Sequence, residues 1–254
     1  MRQLTRAQIK RTIVIGLLAG VLAGLFGVGG GFLMVPLYIA WLHIDQKKAH
    51  ATSLGAVFPI AIAGAVGYAA TDHVDWQSGA YLLLGSFFGA MYGAKLLHTI
   101  SLRKLQIVFG SLLILSALRL LWSAQPTQLV DGVIGHVLLV IVGLFAGTMS
   151  GLLGIGGGII MVPAMIIAAG LTAVEARGTS LAVIVGSSIS GAISHYKRGN
   201  IIVSTALISG IAGVPATYLG IYLSQNLPER ISVTLFAAIL LTIAFQQFKK
   251  SLRK

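Results

Sequence analysis

Long apolar runs, each closed by a short polar or basic segment, follow one another along the chain at about 13–42, 51–70, 78–98, 105–122, 133–169, 178–196, 203–223 and 231–248. A helix crossing the hydrocarbon core of a bilayer needs about 20 predominantly apolar residues, and most of these runs reach that length. The chain between them is too short for a separate soluble domain. The pattern predicts an all-α integral membrane protein. Two of the runs, 13–42 and 133–169, are too long for one comfortable span, and both are interrupted by glycine: Gly27, Gly29, Gly30 and Gly31 in the first, Gly154, Gly156, Gly157 and Gly158 in the second. Each glycine in a helix interior costs about 1 kcal/mol relative to alanine. Each cluster therefore predicts a broken helix, folded back as a hairpin.

The two interrupted runs are copies of each other. Gly24-Leu-Phe-Gly-Val-Gly-Gly-Gly-Phe-Leu-Met-Val-Pro36 matches Gly151-Leu-Leu-Gly-Ile-Gly-Gly-Gly-Ile-Ile-Met-Val-Pro163, at an offset of 127 residues. The same offset, without a gap, aligns Gly16 and Gly20 with Gly143 and Gly147, Thr52-Ser53-Leu54 with Thr179-Ser180-Leu181, Gly64 with Gly191, Gly93 with Gly220, Arg103 with Arg230 and Phe109 with Phe236. The chain is an internal duplication, divided into a first transmembrane repeat at 1–123 and a second at 124–254.

Charge adds an orientation. The chain carries 18 Lys and Arg against 6 Asp and Glu, a net charge of +12. The basic residues cluster at the N-terminus, at Lys95 to Lys104, at Lys197-Arg198 and at the C-terminus, while 71–77 and 123–132 have none. This is the positive-inside pattern of a membrane protein, with no nucleic-acid-binding stripe. It places both termini in the cytoplasm and the protein in the cytoplasmic (inner) membrane. An inside N-terminus and an outside 71–77 require an odd number of crossings, yet two apolar runs intervene. If 13–42 and 133–169 are hairpins that return to their own side, the remaining six helices satisfy every basic loop. The halves then become inverted four-element repeats, each a broken hairpin followed by three transmembrane helices. Inverted repeats with paired broken helices mark the binding site of secondary transporters. The alternative is eight plain spans with parallel halves, which accounts for Lys47 and Lys48 but puts 95–104 outside. The basic start and apolar run resemble a secretory signal, but the run recurs in mid-chain and is read as structure.

The candidate chemistry is that of an anion. The six acidic residues, Asp45, Asp72, Asp75, Asp131, Glu175 and Glu229, all fall at or beyond the ends of apolar runs, whereas a carboxylate within a span is the usual mark of a cation path or proton relay. Broken helices offer backbone N–H groups to a negative charge instead. The predicted substrate site is Gly27, Gly29, Gly30 and Gly31 with Gly154, Gly156, Gly157 and Gly158. It also includes Thr52, Ser53, Thr179 and Ser180, whose hydroxyls can cap the next helix or donate to a bound oxyanion. His50 and Arg177, two residues before the Thr-Ser pairs, either draw anions or snorkel to the interface. His195 either titrates near neutrality or faces headgroups. The glycines at 16, 20, 24 and 85, 89, 93 read as helix-packing positions, and Pro36 and Pro163 as residues that shape the second piece of each hairpin. With no cysteine there is no thiolate metal site, and no cofactor or metal is expected. Expected partners are a small anion and the bilayer, with no nucleic acid; the oligomeric state stays open. Two other classes are an intramembrane enzyme and a non-transporting scaffold. Against the enzyme, no metalloprotease or nucleophile-elbow motif occurs, and Ser188 and His195, about 10.5 Å apart along a helix axis, are too distant to pair.

The glycine motif ending in Met-Val-Pro, the Ala51-Thr-Ser-Leu54 and Gly178-Thr-Ser-Leu181 segments and Ser194-His-Tyr-Lys-Arg-Gly-Asn200 resemble the TauE/SafE family of sulfite and organosulfonate exporters. The resemblance covers nearly the whole chain and both halves. It implies a prokaryotic cytoplasmic-membrane permease that moves small anions outward, often sulfur oxyanions or sulfonates such as sulfite, sulfoacetate or taurine-derived compounds. The first half has Tyr68-Ala-Ala-Thr-Asp-His73 where the second has His195-Tyr-Lys-Arg-Gly-Asn200, so a role for that basic segment does not carry over.

Overall fold

The computed structural model describes residues 5–96, 107, 110–111, 113–118, 121 and 132–252. The expected span at 105–122 lies partly outside these, and Asp131, Arg103, Phe109 and most of the Lys95 to Lys104 cluster lie wholly outside. Among the described residues every regular element is helical. They are α1 (Arg6–Phe26), α2 (Gly31–Leu42), α3 (Gln46–Ala69), α4 (Trp76–Leu96), α5 (Gly132–Leu153), α6 (Gly158–Ala164, continued by a π-helical turn Met165–Ala169), α7 (Ala173–Tyr196), α8 (Val203–Asn226) and α9 (Glu229–Leu252). Five stretches, Arg6–Phe26, Gln46–Ala69, Ile134–Leu153, Val203–Asn226 and Glu229–Gln246, are long and apolar enough to cross a membrane. Their outward faces are apolar too: Ile134 is 75% and Phe245 70% exposed, the surface expected against lipid chains. This is a multi-pass membrane protein.

Helix ends are set by the residues that the physics of capping calls for. Asp45 accepts from Lys47 N to start α3. Thr172 and Glu175 form a reciprocal capping box at the start of α7, as do Thr5 and Gln8 at α1. Both long apolar runs break where glycine predicts: α1 stops at Phe26 and α2 restarts at Gly31, while α5 stops at Leu153 and α6 restarts at Gly158. The first break reverses the chain, because Arg11 donates from Nη1 to Trp41 O (2.8 Å) and Gly30 packs on Ala19. Pro36 and Pro163 lie inside α2 and α6, and the second is followed directly by the π turn.

The helix seams run through small residues, as close packing in a membrane favours. Gly16, Gly20 and Gly24 of α1 lie against Ser209, Gly213 and Thr217 of α8; Gly143, Gly147 and Gly151 of α5 lie against Leu82, Ser86 and Ala90 of α4. Each pair in the second set is the first shifted by 127 residues with the partners exchanged, so the two halves clasp each other. Both seams run parallel. Between α3 and α7, which occupy equivalent places in the two halves, the direction is opposite: Leu54 meets Gly191, Gly64 meets Leu181 and Tyr68 meets Gly178.

A side chain at these seams has nowhere to go, since a Cβ on Gly147 would overlap the backbone carbonyl of Ser86. Gly147→Leu should therefore lower stability by about 3 kcal/mol or more. Gly55→Ala, whose added methyl would find its nearest neighbour 3.4 Å away, should be neutral or stabilising by up to about 1 kcal/mol. Thermal unfolding in detergent measures both, and comparable stability for the two variants would be inconsistent with the seam.

Candidate functional site

The two glycine turns meet in the middle of the protein. Gly27 (φ +70°) closes α1, its N–H bonded to Ala23 O at 2.8 Å; Gly29 and Gly30, both at φ +76°, lead into α2. In the second half Gly154, Gly156 and Gly157 take φ +66°, +92° and +80°. Side chains rarely adopt this left-handed region, so the turn geometry itself selects glycine. A Cβ on Gly31 would overlap Gly154 O, and one on Gly158 would overlap Gly27 O. Each turn thus sits in the space left by the absent side chains of the other. Val57 of α3 and Ile184 of α7, again 127 residues apart, flank Gly29 and Gly156 and fill the centre with apolar surface.

These turns leave donors unused. Leu33 and Met34 both donate to Gly30 O, and Ile160 and Met161 both donate to Gly157 O. No protein acceptor among the described residues pairs with the amides of Val28, Gly29, Gly30, Gly31 and Phe32, nor with those of Ile155, Gly156, Gly157, Gly158 and Ile159. Apart from Phe32 these residues are buried. A buried N–H without a partner costs about 1–3 kcal/mol. The two sets lie in turns that pack on each other at the junction of the halves, each at a helix start where the macrodipole also favours negative charge.

The Thr-Ser pairs are close by, in a role other than the expected cap. α3 begins at Gln46 and α7 at Ala173, so all four hydroxyls lie inside their helices. Ser53 Oγ donates to Gly154 O (2.8 Å), and Ser180 Oγ donates to Gly27 O (2.8 Å). Each serine thereby ties its own half to the glycine turn of the other. Thr52 Oγ accepts from Ile202 N (3.0 Å) and Thr179 Oγ from Asp75 N (2.8 Å), holding the opposite half's α7–α8 and α3–α4 connections. A serine hydroxyl has one proton to donate, and in this state both serines spend it on backbone.

Neither Arg177 nor His195 reaches an interface. Arg177 is 1% exposed, packed on Gly27 and donating from Nη1 to Ser224 Oγ at 2.9 Å. His195 is fully buried and its Nε2 donates to Gly151 O at 2.8 Å. Its counterpart Tyr68 makes the equivalent bond to Gly24 O at 2.6 Å. His50, the counterpart of Arg177, is buried and donates from Nδ1 to Leu153 O. The positions of His50 and Arg177, which suggested snorkelling, are covered by the opposite half, which a single-helix pattern does not reveal. Tyr68, Ser224, Val57 and Ile184 belong to this centre and carried no chemical signal of their own; the offset of 127 is what links Tyr68 to His195 and Val57 to Ile184.

The acidic residues stay at helix ends: Asp45 and Glu175 cap, Asp75 binds Ser78 Oγ at 2.7 Å, Asp72 lies in the turn before α4, and Glu229 opens α9. Beside Asp75, a cavity of about 180 Å³ lined by Gln77, Ser78, His136, Leu139 and Leu171 opens at the α3–α4 end. Among the described residues no group of three or more metal-ligating side chains converges. Ser188 Oγ donates to Val185 O at 3.1 Å, and so it is not engaged with His195 as a nucleophile would be with its base.

Comparison with known proteins gives this geometry a setting. A probable membrane transporter protein of Methanocaldococcus jannaschii is 30% identical over 88% of this chain and 89% of its own length. The probable membrane transporter protein YunE of Bacillus subtilis is 27% identical over 92% and 95%, and one from Haemophilus influenzae 27% identical over 94% and 97%. No solved structure matches the chain significantly. The family described as Sulfite exporter TauE/SafE matches residues 2–120 and 139–254, in both halves. The protein is a membrane transporter belonging to the sulfite exporter TauE/SafE family.

Proposed function

We propose that the protein is a secondary transporter that carries small anions, sulfur oxyanions or sulfonates such as sulfite, sulfoacetate or taurine-derived compounds, outward across the cytoplasmic membrane. The observation that carries this reading is the pair of buried glycine turns whose amides lack protein partners where the two halves meet. An oxyanion accepts several hydrogen bonds at once, and its charge suits the positive ends of α2 and α6. The absence of a carboxylate within the described spans favours the same substrate class, because nothing there attracts a cation. The description of the family supplies sulfite and the outward direction.

The antiparallel crossing of α3 and α7 supports two inverted repeats, 1–123 and 124–254, with both termini cytoplasmic. Transport then consists of one half rocking on the other about the interlocked turns, with Val57 and Ile184 as the apolar barrier that must part. Serine protons now held by Gly27 O and Gly154 O become available to the anion as the turns separate.

Four outcomes are expected. In a thermal-shift screen with sulfite, sulfate, thiosulfate, sulfoacetate and taurine, at least one anion should stabilise the purified protein, since a ligand of the folded state raises its stability. Gly156→Leu protein that folds should bind that anion about tenfold more weakly or worse, about 1.4 kcal/mol; undiminished affinity would remove the glycine turns from the site. Cysteines at Thr71 and Gln128 should react with an impermeant external thiol reagent and one at Ser101 should not, labelling at Ser101 being the result that the inverted arrangement forbids. In proteoliposomes, replacing any of the six acidic residues by its amide should leave the pH dependence of flux in place. Its loss on changing Glu175 or Asp45 would put that carboxylate in the path.

A further inference from the structure

Contacts at the centre recur in the two halves at the offset of 127, yet the pair that packs on the glycine turns differs in charge. At the position packed on the opposite glycine turn, the first half carries His50 and the second Arg177. Arg177 is 1% exposed, in the first turns of α7, a helix largely buried among the others. Its guanidinium makes one hydrogen bond, from Nη1 to Ser224 Oγ, while Nε is buried and has no partner. No ion pair involving it occurs among the described residues. Glu229 is near enough to influence it electrostatically without pairing. The carbonyls of the turn it packs on are committed elsewhere, Gly27 O to Ser180 and Gly24 O to Tyr68. A buried guanidinium with an idle donor and no carboxylate paired to it is costly in low dielectric, and arginine is the side chain whose planar fork suits an oxyanion. The unpaired amides of Val28 to Phe32 follow directly from the turn against which it lies.

We propose that Arg177 is an anion-binding residue of the transport path: a fixed positive charge that, with Ser224 and the amides after Gly27, coordinates an oxyanion or sulfonate at one end of the centre. The opposite end, built around His50, offers a charge only when that imidazole is protonated. This rests on the reading of the protein as an anion transporter and adds to it the residue that supplies formal charge, together with a chemical difference between the two ends of a pseudo-symmetric path.

The test is direct binding of sulfate and of methanesulfonate, whose charges are constant across the range used, to purified protein in lipid nanodiscs. Arg177→Gln should bind the better of the two about tenfold more weakly or worse, and its ligand-free form should unfold at a temperature equal to or above that of wild type, because an uncompensated buried charge has been removed. Wild-type affinity in folded Arg177→Gln protein overturns the assignment while leaving the anion-transporter reading in place. A wild type that binds neither these anions nor sulfite overturns both. Arg177→His is the second variant, chosen because the other half already accommodates histidine at this position. Its affinity should fall, relative to wild type at each pH, by about tenfold between about pH 5.5 and about pH 8 as the imidazole loses its charge. A pH profile that tracks wild type throughout would assign Arg177 a purely structural role.

Discussion

The arrangement depends on one contact that only backbone can make, the mutual insertion of two glycine turns at the centre. Gly31 rests on Gly154 O and Gly158 on Gly27 O, so either turn with a Cβ at these points would push the halves apart. In a membrane this closeness has a second effect. Lipid offers no hydrogen bonds, and an unsatisfied backbone group in hydrocarbon costs several kcal/mol, so an interrupted helix must be covered by protein. Each turn covers the other, and Ser53 and Ser180 cross from one half to bond the carbonyls of the other. Carbonyls are satisfied in this way while amides are not, and that imbalance is the observation on which the proposed anion site rests.

The exchange between the halves explains why the protein needs both. α1 packs on α8 and α5 on α4 through backbone contacts at Gly20 and Gly147, so the first element of each half is seated on an element of the other. Neither glycine turn would be covered in a half standing alone. Close backbone seams resist compression but permit sliding, and Thr52 and Thr179, which hold the opposite half's interhelical connections at Ile202 and Asp75, link any shift at one seam to the other.

Much of this was legible in the sequence because it is written in spacing. The offset of 127 pairs not only the motifs but the contacts, and the glycines at 16, 20, 24 and 85, 89, 93 lie in the seams that their spacing suggested. The helix breaks follow from glycine's conformational cost and appear where the runs occur. What spacing does not carry is the identity of the partner. Thr52 and Thr179 read as helix starts but serve the backbone of the opposite half. Arg177 and His195 each have an interfacial reading because they stand near the ends of apolar runs, yet both are buried, Arg177 against Gly27 of the other half and His195 against Gly151 of its own. Burial of a helix end by a second domain is a property of assembly, and no one-dimensional pattern records it. Tyr68 and His195 illustrate the opposite case: unlike in chemistry, they occupy one position and bond equivalent carbonyls.

Pseudo-symmetry also sets what selection can vary without disturbing the fold. The carbonyl of Gly24, α1's last seam glycine, and that of its counterpart Gly151 in α5 each take a donor, which tyrosine supplies in one half and imidazole in the other. The position on the opposite glycine turn needs a backbone that fits against Gly27 or Gly154, a demand that falls on Cα, Cβ and carbonyl atoms and that histidine and arginine both meet. There the halves diverge to histidine and arginine. A site that keeps its scaffold symmetric and places its charge differences at such positions can present unlike chemistry to its two sides.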